Sequence, residues 1–537
     1  MEAYDYIIVG AGSAGCALAY RLTDSGRHRV LLLEAGGRDR SVWVHMPIGY
    51  GKTYYDERIN WKYMTEPEPG LGGNRSYWPR GKVLGGSSSI NAMVYVRGHP
   101  RDYDDWAEVA PGWGWDDVAP VFKRMEDWSG EASDWRGKGG PVSVYDVASD
   151  IHPLTRTYLK AAEQNAIAVN PDYNGAEMEG ATCYQITTKG GLRASAARGY
   201  LWPARQRHNL RVETRAHATQ ILFEGKRAVG VEYRQNGQLR QARAGEVILS
   251  GGAINSPQIL QLSGIGPGDL LQQHGIPLVC ASPQVGENLR DHLGLDHLFR
   301  ANVPTLNQEL GPWLGKLRAG MRYLLTRRGP LSLSLNQGGG FVRVMPDATR
   351  PDAQLYFSPV SYTRAPPGTR PLMNPDPFPG FLLGFNPCKP TSKGHVHIRA
   401  PDPDVAPELR ANYLNTEHDR RMMVAGVRFL RKISEAPALS AVIDHEIEPG
   451  PDVQSDDEIA DFARAKSWTV FHQCGTCQMG RDVATSVVDA RLRVHGTERL
   501  RVVDASVFPG IPTGNTNAPA MMVGERASDL ILEDAKR

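Results

Sequence analysis

Two textures of apolar and polar residues alternate along this chain. Near the N-terminus, the apolar run Tyr4-Asp-Tyr-Ile-Ile-Val9 stops at Gly10, and a second run, Val30-Leu-Leu-Leu33, stops at Glu34. The small-residue stretch between them predicts a strand, a glycine turn, a helix and a strand, a βαβ unit reaching about Arg40. From Val42 to Arg80 the periodicity disappears into Gly, Tyr, Trp and Pro, which predicts irregular chain, and Ile90–Val96 reads as an apolar continuation. Val212–Tyr233 and Gly245–Ser250 read as strands, with Gly225 and Gly230 as turn points. A small-residue turn and a helix carrying Ile259, Leu260 and Leu262 follow.

After about Gly294 the texture changes. Strand-like pieces at Ala353–Val360, Gly380–Phe385 and Gly394–Ile398 are separated by Pro-rich loops, with a helical stretch at Glu417–Ile433. This predicts a second domain on a mostly antiparallel sheet, extending to about Ser467. Leu500–Asp504 is strand-like again, and a helix is expected from about Ala520 to Lys536. That final segment is expected to rejoin the first sheet, leaving the first domain discontinuous.

The glycines of the first turn carry chemistry. Gly10, Gly12 and Gly15 fill the three places of the dinucleotide fingerprint: one for the tight turn, one for close approach to a pyrophosphate, one for packing helix on strand. Ser13 and Ala14 complete the phosphate turn, at the positive end of the helix. Glu34 follows Gly15 at nearly the expected spacing of about 20 residues. A carboxylate there accepts from ribose hydroxyls and repels a 2′-phosphate, which favours FAD or NAD over NADP.

Composition narrows the field. Lys+Arg is 61 against Asp+Glu 59, so net charge makes no case for nucleic acid or an anionic membrane. No apolar run approaches the about 20 residues of a spanning helix. The first strand begins within a few residues, which leaves no room for a signal peptide. A cytoplasmic protein is expected, with peripheral membrane attachment left open. Six cysteines fit a reducing compartment. Cys474-Gly-Thr-Cys477 has CxxC spacing, but the other four cysteines stand alone. Packing beside a functional histidine is favoured over zinc or dithiol chemistry, and no metal is expected.

Several ordered segments together resemble the glucose–methanol–choline oxidoreductase family, closest to its bacterial choline-dehydrogenase-like branch. They are Gly81-Lys-Val-Leu-Gly-Gly-Ser-Ser-Ser-Ile-Asn91, Gly252 through Gly266, His472-Gln-Cys-Gly-Thr-Cys-Gln-Met-Gly480, Val503-Asp-Ala-Ser-Val-Phe-Pro509 and Gly514-Asn-Thr-Asn-Ala-Pro519. The resemblance runs end to end. It implies an α/β plus α+β fold: a Rossmann-like FAD-binding domain with a substrate domain covering the isoalloxazine. On this reading residues 1–294 are mainly cofactor domain, completed by 480–537. Residues 295–479 form the substrate domain, with a contribution from about 140–200.

The resemblance also implies FAD-dependent oxidation of a primary alcohol to an aldehyde, with hydride transfer to flavin N5. His472 is then the base for the substrate hydroxyl, since an imidazole titrates near working pH. Asn515 holds the position beside it, where an amide can donate to a forming alkoxide. Further cofactor contacts are expected from Ala35, Trp61, Gly85, Gly86, Asn91, Ala92, Met93, Val94, Asp504, Ala505 and Asn517. A helix or turn cap is the bland alternative for Asp504. Some choline oxidases attach FAD to a histidine where this chain has Ile90, so non-covalent FAD is expected. Choline-specific members carry a glutamate just before Gly-Gly-Phe, where this chain has Gln337. With Val470 and Phe471 walling the pocket, a neutral aromatic or medium-chain alcohol is favoured over choline. Oxygen and a quinone or dye remain open as acceptor, with a dehydrogenase favoured. A same-fold hydroxynitrile lyase or photodecarboxylase is the competing class.

Overall fold

The computed structural model describes residues 3–362 and 374–536. Strand Ala3–Val9 lies parallel between Val30–Glu34 and Gln238–Leu249, and Leu210–Thr214 continues the parallel set beyond Val30–Glu34. Helix Ser13–Leu22 makes the crossover of the βαβ unit. Ile7, Ile8, Leu32, Val247 and Ile248 are buried, as expected of strands covered on both faces. Leu500–Val502 pairs parallel with Val247–Leu249, so the C-terminal segment adds a strand to this sheet. The closing helix spans Asn517–Asp534 and crosses helix Ser13–Leu22 at Gly524, where a Cβ would stand 2.6 Å from the Ala14 carbonyl oxygen.

The region after Thr214 departs from the sequence reading. Ala216–Glu224, Arg227–Gln235 and Gln238–Leu249 form an antiparallel meander. Gly225 is in a turn as expected, but Gly230 is inside a strand. A Cβ there would lie 2.2 Å from the Ala242 carbonyl oxygen, so this glycine answers to close backbone approach.

The second sheet runs Ile443–Glu448, Leu293–Ala301, Gly380–Pro387, Ala353–Ser358, Gly338–Val342, Gly180–Cys183, antiparallel throughout. Helix Glu417–Ser434 is capped by the Thr416 hydroxyl and packs on the sheet so closely that a Cβ at Gly426 would meet the Phe385 ring. The expected strand at Gly394–Ile398 exists as His395–His397, but pairs with Glu408–Arg410 outside the large sheet. Trp468–Thr469 pairs with the start of Leu293–Ala301, which brings the segment leading to His472 against the strand that follows His292.

Candidate active site

A cavity of about 1630 Å³, counted to its open mouth, begins at the carboxyl ends of the parallel strands and reaches residues 470–473.

Gly10, Gly12, Ser13, Ala14, Glu34 and Ala35 line one part of it. Gly10 has φ +104, and a Cβ there would stand 2.4 Å from the Ser250 carbonyl oxygen. Gly15 is behind the wall: a Cβ would stand 1.9 Å from the Gly10 carbonyl oxygen, so its role is packing. The Glu34 carboxylate accepts from Ala11 N (3.0 Å) and Gly36 N (2.8 Å). Burial pushes its pKa up to about 7, against the pull of those two N–H groups. Ser13 Oγ donates to Asn517 Oδ1 at 2.7 Å, joining the first turn to the closing helix.

Gly86, Asn91, Ala92, Met93, Val94, Trp61, Asp504, Ala505 and Asn517 also line the cavity. Gly85 does not. At φ +88 it donates its N–H to the Ala11 carbonyl, which sets the loop against the first turn. Trp61 stacks on Tyr63 and tilts against His217. Asp504 fits its bland alternative: it accepts from Gly252 N (2.8 Å), Ser256 Oγ (2.6 Å) and Ser506 N (2.7 Å), clamping two distant segments. Gln337 does not line the cavity. Its Oε1 accepts from His152 N at 2.7 Å, at the head of helix Pro153–Gln164, because the chain enters the strand at Gly338 with that side chain turned to the helix.

His472 and Asn515 meet at this cavity: Asn515 Nδ2 lies 3.0 Å from His472 Nε2, and Asn515 Oδ1 accepts from Gln354 Nε2 at 3.0 Å. The other face of the imidazole meets His292, Nδ1 to Nδ1, at 2.9 Å. His292 Nε2 is 3.0 Å from the Cys388 carbonyl oxygen. A carbonyl only accepts, so His292 carries its proton on Nε2. A neutral His292 then accepts at Nδ1, and His472 must donate from Nδ1. The lone pair of His472 is thereby directed from Nε2 to Asn515 and the cavity. Burial lowers the His292 pKa to about 4 and holds His472 well below the usual histidine range, the latter also through the charges of His292 and Arg80. Burial thus favours the neutral form of both rings.

The main chain is held as firmly. Asp291 Oδ1 accepts from His472 N at 2.7 Å, and its Oδ2 takes the Tyr413 and Thr469 hydroxyls and Gln473 Nε2. Phe471 has φ +68, a left-handed conformation fixed by its N–H to Thr469 Oγ1 (2.8 Å) and by Arg80 donating to its carbonyl (2.7 Å). Cys474 and Cys477 are buried free thiols, both raised by burial. Gly475, Cys477 and Met479 donate their N–H groups to the carbonyls of Ala505, Ser506 and Val507, tying the histidine segment to the cofactor segment. Sequence reasoning missed His292, Asp291, Gln354 and Arg80. The only available signal for the first two was Asp-His ahead of a predicted domain border, too weak in a chain with 15 histidines.

Family models described as GMC oxidoreductase match residues 4–294 and 390–524. The chain belongs to the GMC oxidoreductase family. This GMC oxidoreductase is 42% identical to an alcohol dehydrogenase [acceptor] of Pseudomonas putida, over 98% of this chain and 96% of that one. It is equally 42% identical to an oxygen-dependent choline dehydrogenase of Vibrio vulnificus, over 98% and 94%. Among solved structures it resembles pyridoxine 4-oxidase from Mesorbium loti, with TM-score 0.89, 30% identity and 99% of both chains covered. Formate oxidase of Aspergillus oryzae aligns with TM-score 0.92 at 25% identity. The chain is an FAD-dependent oxidoreductase acting on CH–OH donors. The cavity fits that cofactor: a glycine turn that leaves no room for Cβ atoms, a helix N-terminus and a carboxylate for a ribose stand in the required order.

Proposed function

We propose that this GMC oxidoreductase is a dehydrogenase that oxidises a neutral primary alcohol to the aldehyde, with His472 as the base and FAD held non-covalently. The observation that carries the reading is the chain of contacts from the Cys388 carbonyl through His292 to His472 and the Asn515 amide, which favours a free Nε2 lone pair on His472. A substrate hydroxyl takes the place of Asn515 Nδ2 at the Nε2 lone pair, donating to Nε2 while the released Asn515 Nδ2 donates to the hydroxyl oxygen. Proton removal leaves alkoxide character that the amide dipole stabilises without titrating. When bound, FAD supplies a hydride acceptor at its N5. Tyr54, Met93, Val470 and Phe471 offer the carbon chain an apolar wall.

Charge supports the neutral substrate. Among the described residues lining the cavity, the carboxylates are Glu34 and Asp504, and both are held by main-chain donors at the cofactor turns. The half-buried Arg80 guanidinium lies beside Phe471, where it repels a cation. Choline is the competing substrate, favoured by relatives named for it at equal identity. The Pseudomonas putida relative is named for an unspecified acceptor and the Vibrio vulnificus one for oxygen, at equal identity; the dehydrogenase reading follows the first. The test is a panel of alcohols with oxygen and with a dye in parallel. Benzyl alcohol or hexanol should exceed choline in kcat/KM by at least about tenfold, a difference of about 1.4 kcal/mol. Turnover should require the dye. Choline preference overturns the substrate, exclusive peroxide formation overturns the dehydrogenase, and a flavin that alcohols do not bleach anaerobically favours the lyase or photodecarboxylase class.

Support for non-covalent FAD is the side chain at the attachment place. Ile90 lines the cavity and packs with Val44, Ile59 and Val83, and it has no nucleophile. Acid precipitation should leave the yellow cofactor in the supernatant; colour retained in the pellet counts against it.

A further inference from the structure

Helix Trp313–Thr326 is apolar on the wrong side for a core helix. Of its residues only Ala319 and Tyr323 are buried. Trp313 is 71% exposed, Leu324 68% and Leu325 85%, with Leu314, Leu317 and Met321 all more than half exposed. At 3.6 residues per turn these six side chains fall within one sector of about 120°, opposite Ala319 and Tyr323. Exposed Lys316 lies at one border of that sector and Arg318 and Arg322 at the other, with exposed Arg327 and Arg328 just past the helix end. No acidic residue occurs between Glu309 and Asp347.

We infer that this helix docks the enzyme on an anionic phospholipid bilayer, lying in the plane of the interface. A contiguous exposed apolar stripe marks an interaction surface, and one with cations on both borders matches a surface with apolar depth and negative headgroups. A helix of 14 residues is about 21 Å long, too short to cross the about 30 Å hydrocarbon core. Among the described residues no helix is long and apolar enough to span a membrane. The inner side of the helix is anchored to the enzyme. Tyr323 donates its hydroxyl to the Gly191 carbonyl at 2.9 Å. Ala319 belongs to an apolar cluster that continues through Leu306, Leu335 and Tyr54 to Met93, and Tyr54 and Met93 line the cavity. The docking face thus stands over apolar packing that ends at the active site, the side from which a lipid-soluble alcohol or acceptor would come.

The test is flotation of the purified holoenzyme with vesicles of phosphatidylcholine alone or mixed with phosphatidylglycerol. The enzyme should float with the mixed vesicles and much less with phosphatidylcholine alone or at high salt. The double substitution Leu317→Glu, Leu324→Glu should cut flotation at least about tenfold, as should charge reversal of Lys316, Arg318 and Arg322. Both variants should keep dye-linked alcohol oxidation in solution, because these side chains face water. Wild-type enzyme that stays unbound with the mixed vesicles overturns the inference, as does equal flotation of the Leu317/Leu324 variant. A dimer by light scattering that the same variant converts to monomer, without flotation, assigns the face to a second copy instead.

Discussion

Replacing His472 with alanine is expected to slow flavin reduction by alcohol about 10³–10⁴-fold while FAD stays bound. The side chain contributes one lone pair to the cavity and hydrogen bonds only with His292 and Asn515, while its main chain remains tied to Asp291. The fold and the cofactor contacts therefore survive the substitution, and proton removal from the alcohol does not. Stopped-flow mixing with alcohol under anaerobic conditions reads the step directly, and the visible spectrum reads bound FAD. Bleaching within about tenfold of wild type would leave His472 without the proposed role. The pH profile gives a second reading. The base acts deprotonated, so activity is present above its pKa and lost as pH falls through it. Burial lowers that pKa, so the acid limb belongs below the ordinary histidine range near about 6.5.

Replacing His292 with phenylalanine is expected to cost about 10²–10³-fold in the same rate, although His292 reaches the substrate only through His472. His292 lies behind His472 and, through the Cys388 carbonyl, assigns which nitrogen of His472 carries the proton. Phenylalanine keeps the packing and removes the acceptor. The His472 proton is then free to sit on Nε2, where it blocks the base, as losses from a wrong tautomer in other histidine enzymes lead one to expect. Two readouts separate this from a general loosening. The two tautomers hold equal numbers of protons, so the loss should be the same at every pH above the acid limb. His292→Gln, whose amide can accept from His472 and donate to Cys388, should recover most of the rate. A pH-dependent loss, or no recovery with glutamine, would mean that His292 serves packing alone.

Where sequence reading succeeded, the constraint was local. The βαβ unit, the helix at 417–434 and the turn at Gly225 each follow from residues within one or two turns of chain. Reading failed where a distant segment supplied the reason. Gly230 looks like a turn until the Ala242 carbonyl is placed against it. Gln337 looks like a pocket residue until the His152 N–H and the Thr155 hydroxyl at the head of helix Pro153–Gln164 are placed against that amide. Helix Trp313–Thr326 has no counterpart in the sequence reading; its apolar stripe faces out, and of its residues only Ala319 and Tyr323 are buried.

By itself, the sequence determined the FAD-binding family of this chain and the glycines that its first turn and its serine loop require. Gly10 and Gly86 have no substitute where a Cβ would strike backbone, and such steric demands leave their mark in residue identity. Only the tertiary structure decided the chemical state of His472. Its partner is 180 residues away, and Asn515 approaches from a third segment. A proton's position on a ring depends on what faces each nitrogen, and that is settled only when separate strands are brought to within hydrogen-bond distance.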